Sequence, residues 1–348
     1  MRGASACVYD ARMSERWNAL KWDNGRGHYE VYYVTFTDPV SRIGFWIRYT
    51  LLAPLGGDAT CSLWFLAMDP SNPSANVARK HTLPAAQLLS RTDPFRLEIG
   101  SAWLDDAGAA GAIDDTDGRC SWELEWTSRL PAYAHVHPLL RATLAKTVLF
   151  LPHPDLEISG TIDMGGRRIT LDRVPGGQAH LWGSKHAQTW AWAHCNDFVD
   201  AAGDRRAETF VDGVSVFVQR LGRALGPNTP VVARVGGRDL LSTRPLAVAR
   251  NQSSFDLDCW RFEALTPRRK LVGDVEARRE DLVGVTYRDP DGEPAYCYNT
   301  EVASMRVAVH ERSLGGSWHK VDELHSEGKA HFEYAQREPV PGAALMIA

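Results

Sequence analysis

The chain of 348 residues has no uninterrupted apolar run of about 18 residues, and its opening, MRGASACVYDARMSERW, holds no apolar core of signal-peptide length. Neither a helical membrane span nor a secretory leader is expected, so the expected setting is soluble and cytoplasmic. Six cysteines (Cys7, Cys61, Cys120, Cys195, Cys259, Cys297) lie far apart with no C-x-x-C pair. Zinc ribbons and thioredoxin-type chemistry therefore lack support, and the thiols read as reduced and mostly buried. The net charge of -4 comes without a long basic run, which gives no electrostatic reason to propose nucleic acid or an anionic membrane as partner. Also missing are G-x-x-x-x-G-K-[ST], G-x-S-x-G, H-E-x-x-H and a Rossmann glycine fingerprint. Phosphoryl transfer, serine hydrolysis and nicotinamide chemistry lose their usual signatures, and no cofactor is expected.

What is present is strand sequence. Hydrophobic content of 44% and charged content of 24% are those of a globular protein, and the length suits two domains. Residues 28–37 (HYEVYYVTFT), 45–53 (FWIRYTLLA) and 61–68 (CSLWFLAM) are dense in aromatic and branched residues, with a turn at Asp38-Pro39. Glu30 falls on the face of Tyr32, Val34 and Phe36; a buried acid needs a partner, and Arg48 lies within hairpin reach. Residues 95–104 read as one strand and 105–118 as a Gly/Asp-rich link. Residues 120–127 (CSWELEWT) alternate as a half-exposed strand, with Trp122, Leu124 and Trp126 on the inner face. Residues 139–151 are the best helix candidate, although their Thr and Val content also permits a strand. Residues 156–164 and 167–171 form a hairpin across Gly165-Gly166. Further strands are expected at 208–220, 231–235, 254–262, 271–277, 282–287, 303–311 and 330–337, with turns such as Pro290-Asp291-Gly292 between them. Strands at short spacing with few helices indicate sandwiches or barrels. The two runs lie on either side of a hinge expected near residues 185–205.

Residues 176–198 (GGQAHLWGSKHAQTWAWAHCNDF) stand out, because they interleave histidine with tryptophan. Strand alternation places Trp190, Trp192, His194 and Asn196 on one face and Thr189, Ala191, Ala193 and Cys195 on the other. His180 and Trp182 share a face one strand earlier, across a 183–186 connection long enough for a hairpin. Packing alone accounts for buried aromatics with hydrogen-bonded histidines. An ordinary core, however, would use Val, Ile or Leu here, so the mixture points equally to an apolar pocket carrying a few polar groups.

With H-L-W-G followed by W-A-W-A-H-C-N-D-F, preceded by I-S-G-T-I-D-M-G-G-R-R, the chain resembles the carotenoid 1,2-hydratase and tocopherol-cyclase-like superfamily. Y-E-V-Y-Y-V-T-F near the start and Y-R-D-P-D-G with Y-C-Y-N-T-E-V-A near the end extend the likeness over roughly residues 20–340. The resemblance implies an all-β fold of two tandem lipocalin-like (calycin) antiparallel β-barrels with few short helices, at residues 20–185 and 186–348. It also implies non-redox chemistry on apolar molecules: hydration of an isoprenoid double bond, ring closure of a prenylated phenol, or cyclisation of polyenes. The His-x-Trp of the hydratases matches His180 and Trp182. Their Tyr-x-Asp, which follows soon after in the family, occurs here only as Tyr287-Arg288-Asp289, about a hundred residues on.

Adding a proton to an alkene needs an acid beside the double bond and π density to hold the resulting cation. The expected catalytic residues are His180, His194 and Asp197. Trp182, Trp190, Trp192, Asn196, Glu30, Tyr296 and Asn299 are expected to contact a hydrophobic small molecule. Should the donor be a carboxylic acid, Asp197 or Glu30 would need burial to keep its proton. No metal is expected, although His180, His186 and His194 form a conceivable ligand trio, as do His135 and His137 with an unknown third group. The competing reading is a carrier that sequesters a hydrophobic ligand without chemistry.

Overall fold

The computed structural model describes residues 18–137, 146–220 and 223–348. The first sheet starts with β1 (His28–Thr37), β2 (Gly44–Ala53), β3 (Thr60–Met68), β4 (Val77–Pro84), β5 (Leu88–Thr92) and β6 (Phe95–Ile99). It continues with β7 (Ala102–Asp105), β8 (Gly108–Asp115), β9 (Gly118–Ser128), β10 (Tyr133–Ala134), β11 (Thr147–Met164) and β12 (Arg167–Gly183). The second sheet opens with β13 (Thr189–Cys195), β14 (Val199–Asp200), β15 (Phe210–Arg220), β16 (Arg223–Asn228), β17 (Val231–Val235), β18 (Arg238–Ser242) and β19 (Gln252–Asp256). Then come β20 (Cys259–Leu265), β21 (Arg269–Glu276), β22 (Val283–Arg288), β23 (Pro294–Arg312), β24 (Trp318–Gln336) and β25 (Leu345–Ile347). The two sheets hold 12 and 13 strands. Each curls around its own core, giving the tandem barrels expected from the sequence. All strand pairs are antiparallel except the short parallel β22–β25 contact. No helix among the described residues is long and apolar enough to cross a membrane, which says nothing about strands.

Barrel 1 is filled by Tyr32, Val34, Phe36, Phe45, Tyr49, Phe65, Phe95 and Trp122, and barrel 2 by Ala191, Ala193, Phe198, Trp260, Tyr298 and Phe332. A third apolar layer lies between them. It joins Tyr29, Tyr33, Trp46 and Trp64 of barrel 1 to Trp190, Trp192, Phe210, Val285 and Tyr287 of barrel 2. β1 and β13 are thus buried on both faces, one toward a barrel interior and one toward the neighbouring barrel. That is why HYEVYYVTFT and TWAWAHC carry few charged residues on either face, where a half-exposed strand would alternate apolar with polar. In TWAWAHC the small Ala191, Ala193 and Cys195 face barrel 2 and the large Trp190 and Trp192 face the layer.

The Gly165-Gly166 hairpin forms as expected, with φ of 61° and 96° at the two turn residues, the primed geometry that suits twisted strands. Several expectations are corrected. Residues 95–104 and 254–262 each fold into two strands, because Gly100-Ser101 and Leu257-Asp258 make turns. The supposed link at 105–118 contains β8, which pairs with β9 on Ala and Gly residues small enough to sit against Trp122. In the helix candidate, residues 147–151 are extended in β11; residues 138–145 lie outside the described residues. Finally, β12 and β13 are not hairpin partners. β12 pairs with β1 and β11, whereas β13 pairs with β15 and β24, so residues 184–188 carry the chain from one sheet to the other. The expected hinge at 185–205 therefore contains a central strand of the second sheet.

Candidate active site between the barrels

The crossover at 184–188 separates the two histidines that the sequence placed together. His180 points into barrel 1, where its ring stacks on Tyr32 at 4.0 Å and tilts against Trp182 at 4.6 Å. Its Nε2 lies 2.9 Å from Glu30 Oε1. The same carboxylate accepts the backbone N–H of Lys21 (2.8 Å) and Trp22 (3.0 Å) and the Tyr32 hydroxyl (2.9 Å), and it contacts His28 Nε2 at 2.8 Å. Burial pushes the Glu30 carboxyl up, but the bonds from His180 and His28 outweigh it and leave a pKa of about 2. Glu30 therefore stays ionised and cannot serve as the proton donor considered above. Arg48 is not its partner either: Arg48 pairs with Tyr33 and Glu30 with Leu51, which puts the two side chains on opposite faces.

His194 looks the other way, out of barrel 2 into the inter-barrel layer. Registered strands set His331 (β24), His194 (β13) and Asp212 (β15) side by side across the sheet. Asp212 Oδ2 lies 3.0 Å from His194 Nδ1, and Asp212 Oδ1 accepts the Trp192 indole N–H at 3.2 Å. His135, from the segment between β10 and β11, brings its Nε2 to 2.8 Å from Asp212 Oδ1. Burial raises the Asp212 carboxyl, but His135 and His194 override it and hold it below the ordinary range. Asp212 is thus an ionised anchor that orients two imidazoles.

Next to His194, at 5.7 Å between ring centroids, stands His331. Its Nδ1 lies 2.6 Å from Thr35 Oγ1 of barrel 1 and 3.5 Å from Glu301 Oε2. Burial and the neighbouring His194 push the His331 imidazole well below its ordinary value, so it is neutral near pH 7. Glu301 is the complement. Burial and then the charge of Glu333 raise its carboxyl well above the ordinary value, which favours the protonated form. Barrel 1 makes room for Glu301 and His194: a Cβ at residue 44 would sit 2.5 Å from Glu301 Cβ, and one at residue 177 would sit 2.7 Å from His194 Nε2. Glycine at both positions permits this approach.

Several buried polar atoms of this layer have no hydrogen-bond partner: Glu301 Oε2, His194 Nε2, Asn299 Nδ2, and Nε and Nη1 of Arg48. Buried polar groups are paired almost everywhere in folded proteins. Unpartnered atoms also occur elsewhere in both barrels, but these stand in an apolar layer where they can meet a polar group of a bound molecule. Tyr33 links the parts, edge-on to Trp192 at 5.5 Å and tilted to Trp46 at 6.4 Å. A groove of about 320 Å³ lined by Thr37, Asp38, Arg42 and Lys329 opens nearby, and the Thr37 hydroxyl donates to the Glu301 carbonyl.

The structure therefore brings together Trp190, Trp192, His194 and Asn299 of the sequence-predicted residues. Glu30, His180 and Trp182 form a separate cluster in barrel 1. Asn196 donates to Asp155 Oδ1 and to the Gly176 carbonyl. Asp197 pairs with Lys329 at 2.8 Å and Arg205 at 3.1 Å, both partly exposed, and faces no pocket of the layer. Tyr296 packs toward the barrel 2 interior. His186 contacts Asp289 at 2.6 Å, so the three conceivable metal-ligating histidines occupy three different places. Among the described residues no group of three His, Cys, Asp or Glu converges as a metal site. Sequence reasoning missed Asp212, His331 and the role of Glu301. For Asp212 the signal was there, a charged residue on the face of Phe210, Val214 and Val216 in β15, whereas Glu301 and His331 sit among small and polar residues of β23 and β24 that give no such contrast.

No family model matches the chain. It is 27% identical over 306 residues to uncharacterised proteins of two Mycobacterium tuberculosis strains, covering 86% of this chain and 87% of theirs. Among solved structures it is similar to an AttH-type protein from Nitrosomonas europaea (TM-score 0.54, 14% identity, 92% of this chain and 98% of that one). It is also similar to CghA (TM-score 0.55, 10% identity, 97% and 94%) and to kievitone hydratase from Nectria haematococca (TM-score 0.51, 6% identity, 90% and 89%). At these identities the likeness establishes the two-barrel fold alone.

Proposed function

We propose that the protein is a non-redox hydratase or cyclase, with residues 20–185 and 186–348 as its two units, acting on an apolar isoprenoid or polyene held between them. The single observation that carries this is a buried glutamic acid, Glu301, whose Oε2 has no hydrogen-bond partner at the aromatic layer between the barrels, where burial and the charge of Glu333 raise its carboxyl well above the ordinary value. A carboxylic acid in that state donates a proton to an alkene carbon, and the indole and phenol faces of Trp192 and Tyr33 stabilise the positive charge that develops. In hydration, water adds to the cation and its surplus proton returns to the Glu301 carboxylate, so the net change is addition of water. In cyclisation, a second double bond attacks the cation and a proton is lost to the same carboxylate, so no atoms are gained. His331, neutral and 3.5 Å away, is placed to relay that proton, and His194 is held in orientation by Asp212. One of the fold neighbours is named as a hydratase, which agrees with this chemistry.

The test is mass spectrometry of the organic extract of the purified protein, followed by incubation of the recovered molecule with fresh enzyme in deuterated water. Uptake of one deuteron in a cyclised product, or of deuterated water in a hydrated one, is expected with the parent and absent with Glu301→Gln. A molecule that binds but returns unchanged would make the protein a carrier.

A further inference from the structure

Among the described residues, Arg48 is a cation of this layer with no counterion. It lies on β2 and is 4% exposed, yet its Nε and Nη1 have no hydrogen-bond partner, and no carboxylate among the described residues comes within 4.0 Å of it. Its guanidinium is sandwiched instead, with Cζ 4.3 Å from the Trp46 ring centroid, 4.5 Å from Tyr287 and 5.4 Å from Trp64. Cation–π contacts engage the guanidinium plane and leave the Nε and Nη1 donors without an acceptor. Glu333, an acid of the same layer, is engaged by the Trp190 indole and the Tyr287 hydroxyl (3.2 Å) and forms no ion pair with Arg48.

A buried charge without a partner is strongly unfavourable, so a fold that keeps one has a use for it. More positive charge stands toward the rim. Lys80 holds its ammonium 4.3 Å over the Trp64 ring. The exposed Lys80 thus marks an approach to Arg48 that favours anions.

We propose that Arg48 anchors an anionic head group, a carboxylate or an acidic enolate or phenolate, of the molecule whose apolar body lies along the aromatic layer toward Glu301. This rests on the inter-barrel layer being the substrate site, and it narrows the substrate from any polyene to an amphipathic anion. It also resolves a physical conflict: an unneutralised guanidinium would oppose a carbocation forming in the same layer, and a bound anion cancels that field.

The test uses cis-parinaric acid, a fluorescent tetraene carboxylate, and its methyl ester as paired probes in fluorescence titrations of the full-length protein. The acid is expected to bind at least about tenfold more tightly than the ester, a difference of about 1.4 kcal/mol. In Arg48→Met that preference should vanish through weaker binding of the acid, with the affinity for the ester unchanged and the unliganded melting temperature equal to or above that of the parent. Should Arg48→Met fail to fold, Arg48→Gln reads the same ratio. Equal binding of acid and ester by the parent, no binding of the acid, or an undiminished preference in the Arg48 variants would overturn the anchor. Glu301→Gln separates this from the catalytic reading: it should bind the acid like the parent, and unimpaired turnover in that variant would sink the acid assignment while leaving the anchor standing.

Discussion

Two glutamates, Glu30 and Glu301, are buried to almost the same degree and have opposite fates. Glu30 in barrel 1 is surrounded by five donors, two of them backbone N–H groups that fasten residues 21–22 to the barrel wall, and its carboxyl is held ionised. Glu301 between the barrels has one oxygen with no hydrogen-bond partner and an acidic neighbour, and its carboxyl is raised well above the ordinary value. Burial alone thus says nothing about role. The supply of donors decides whether a buried carboxyl is a structural fastening or a stored proton.

Breaking each glutamate in turn sharpens that contrast. The largest effect is expected from Glu301→Gln, which should lower turnover of the extracted substrate by about 10²–10⁴-fold, the usual worth of a general acid, without loss of fold. Steady-state assays with circular dichroism as control check both halves. Glu30→Ala should do the reverse. Removing the shared acceptor of a buried network costs on the order of 3–5 kcal/mol of stability, read as a lower urea midpoint, and changes turnover only through the fraction folded.

The pH dependence of stability carries the same opposition. The folded pKa of Glu30, about 2, lies below its ordinary value of 4.5, so its contribution is complete above 4.5 and is lost as pH falls toward 2. Glu301 has its folded pKa above 4.5, so stability present below that value drains away as pH rises toward the folded pKa. Urea midpoints measured from pH 2 upward should show Glu30→Gln flattening the acid limb and Glu301→Gln removing the loss above pH 4.5. The smallest effect is expected at Asp197, whose cationic partners are partly solvated. Asp197→Asn should cost no more than about 1 kcal/mol and leave turnover intact, and a large drop in turnover would restore it as a catalytic candidate.

Much of the architecture was legible in the sequence because strands announce themselves locally. HYEVYYVTFT, the Gly165-Gly166 turn and the alternation of CSWELEWT need no tertiary information to be read. The face shared by Trp190, Trp192 and His194 was likewise correct. What failed were inferences that depend on register and sheet membership. The parity of the β1–β2 hairpin puts Arg48 opposite Tyr33, not on the face of Glu30, and one residue more or less in the loop would have reversed that. Likewise, five residues at 184–188 serve a sheet-to-sheet crossover as readily as a hairpin. The convergence of His180 and His194 on one space followed from the wrong choice. Asp212 and His331 come from strands 18 and 137 residues away from His194, a proximity that periodicity cannot express.

Infrared spectroscopy of the protein at neutral pH tests the stored proton most directly, since a protonated carboxyl group has a carbonyl band distinct from that of a carboxylate. The parent and Glu30→Gln should both show such a band from a buried acid at pH 7, and Glu301→Gln should lack it. Absence of the band from the parent, or its survival in Glu301→Gln, would contradict the account.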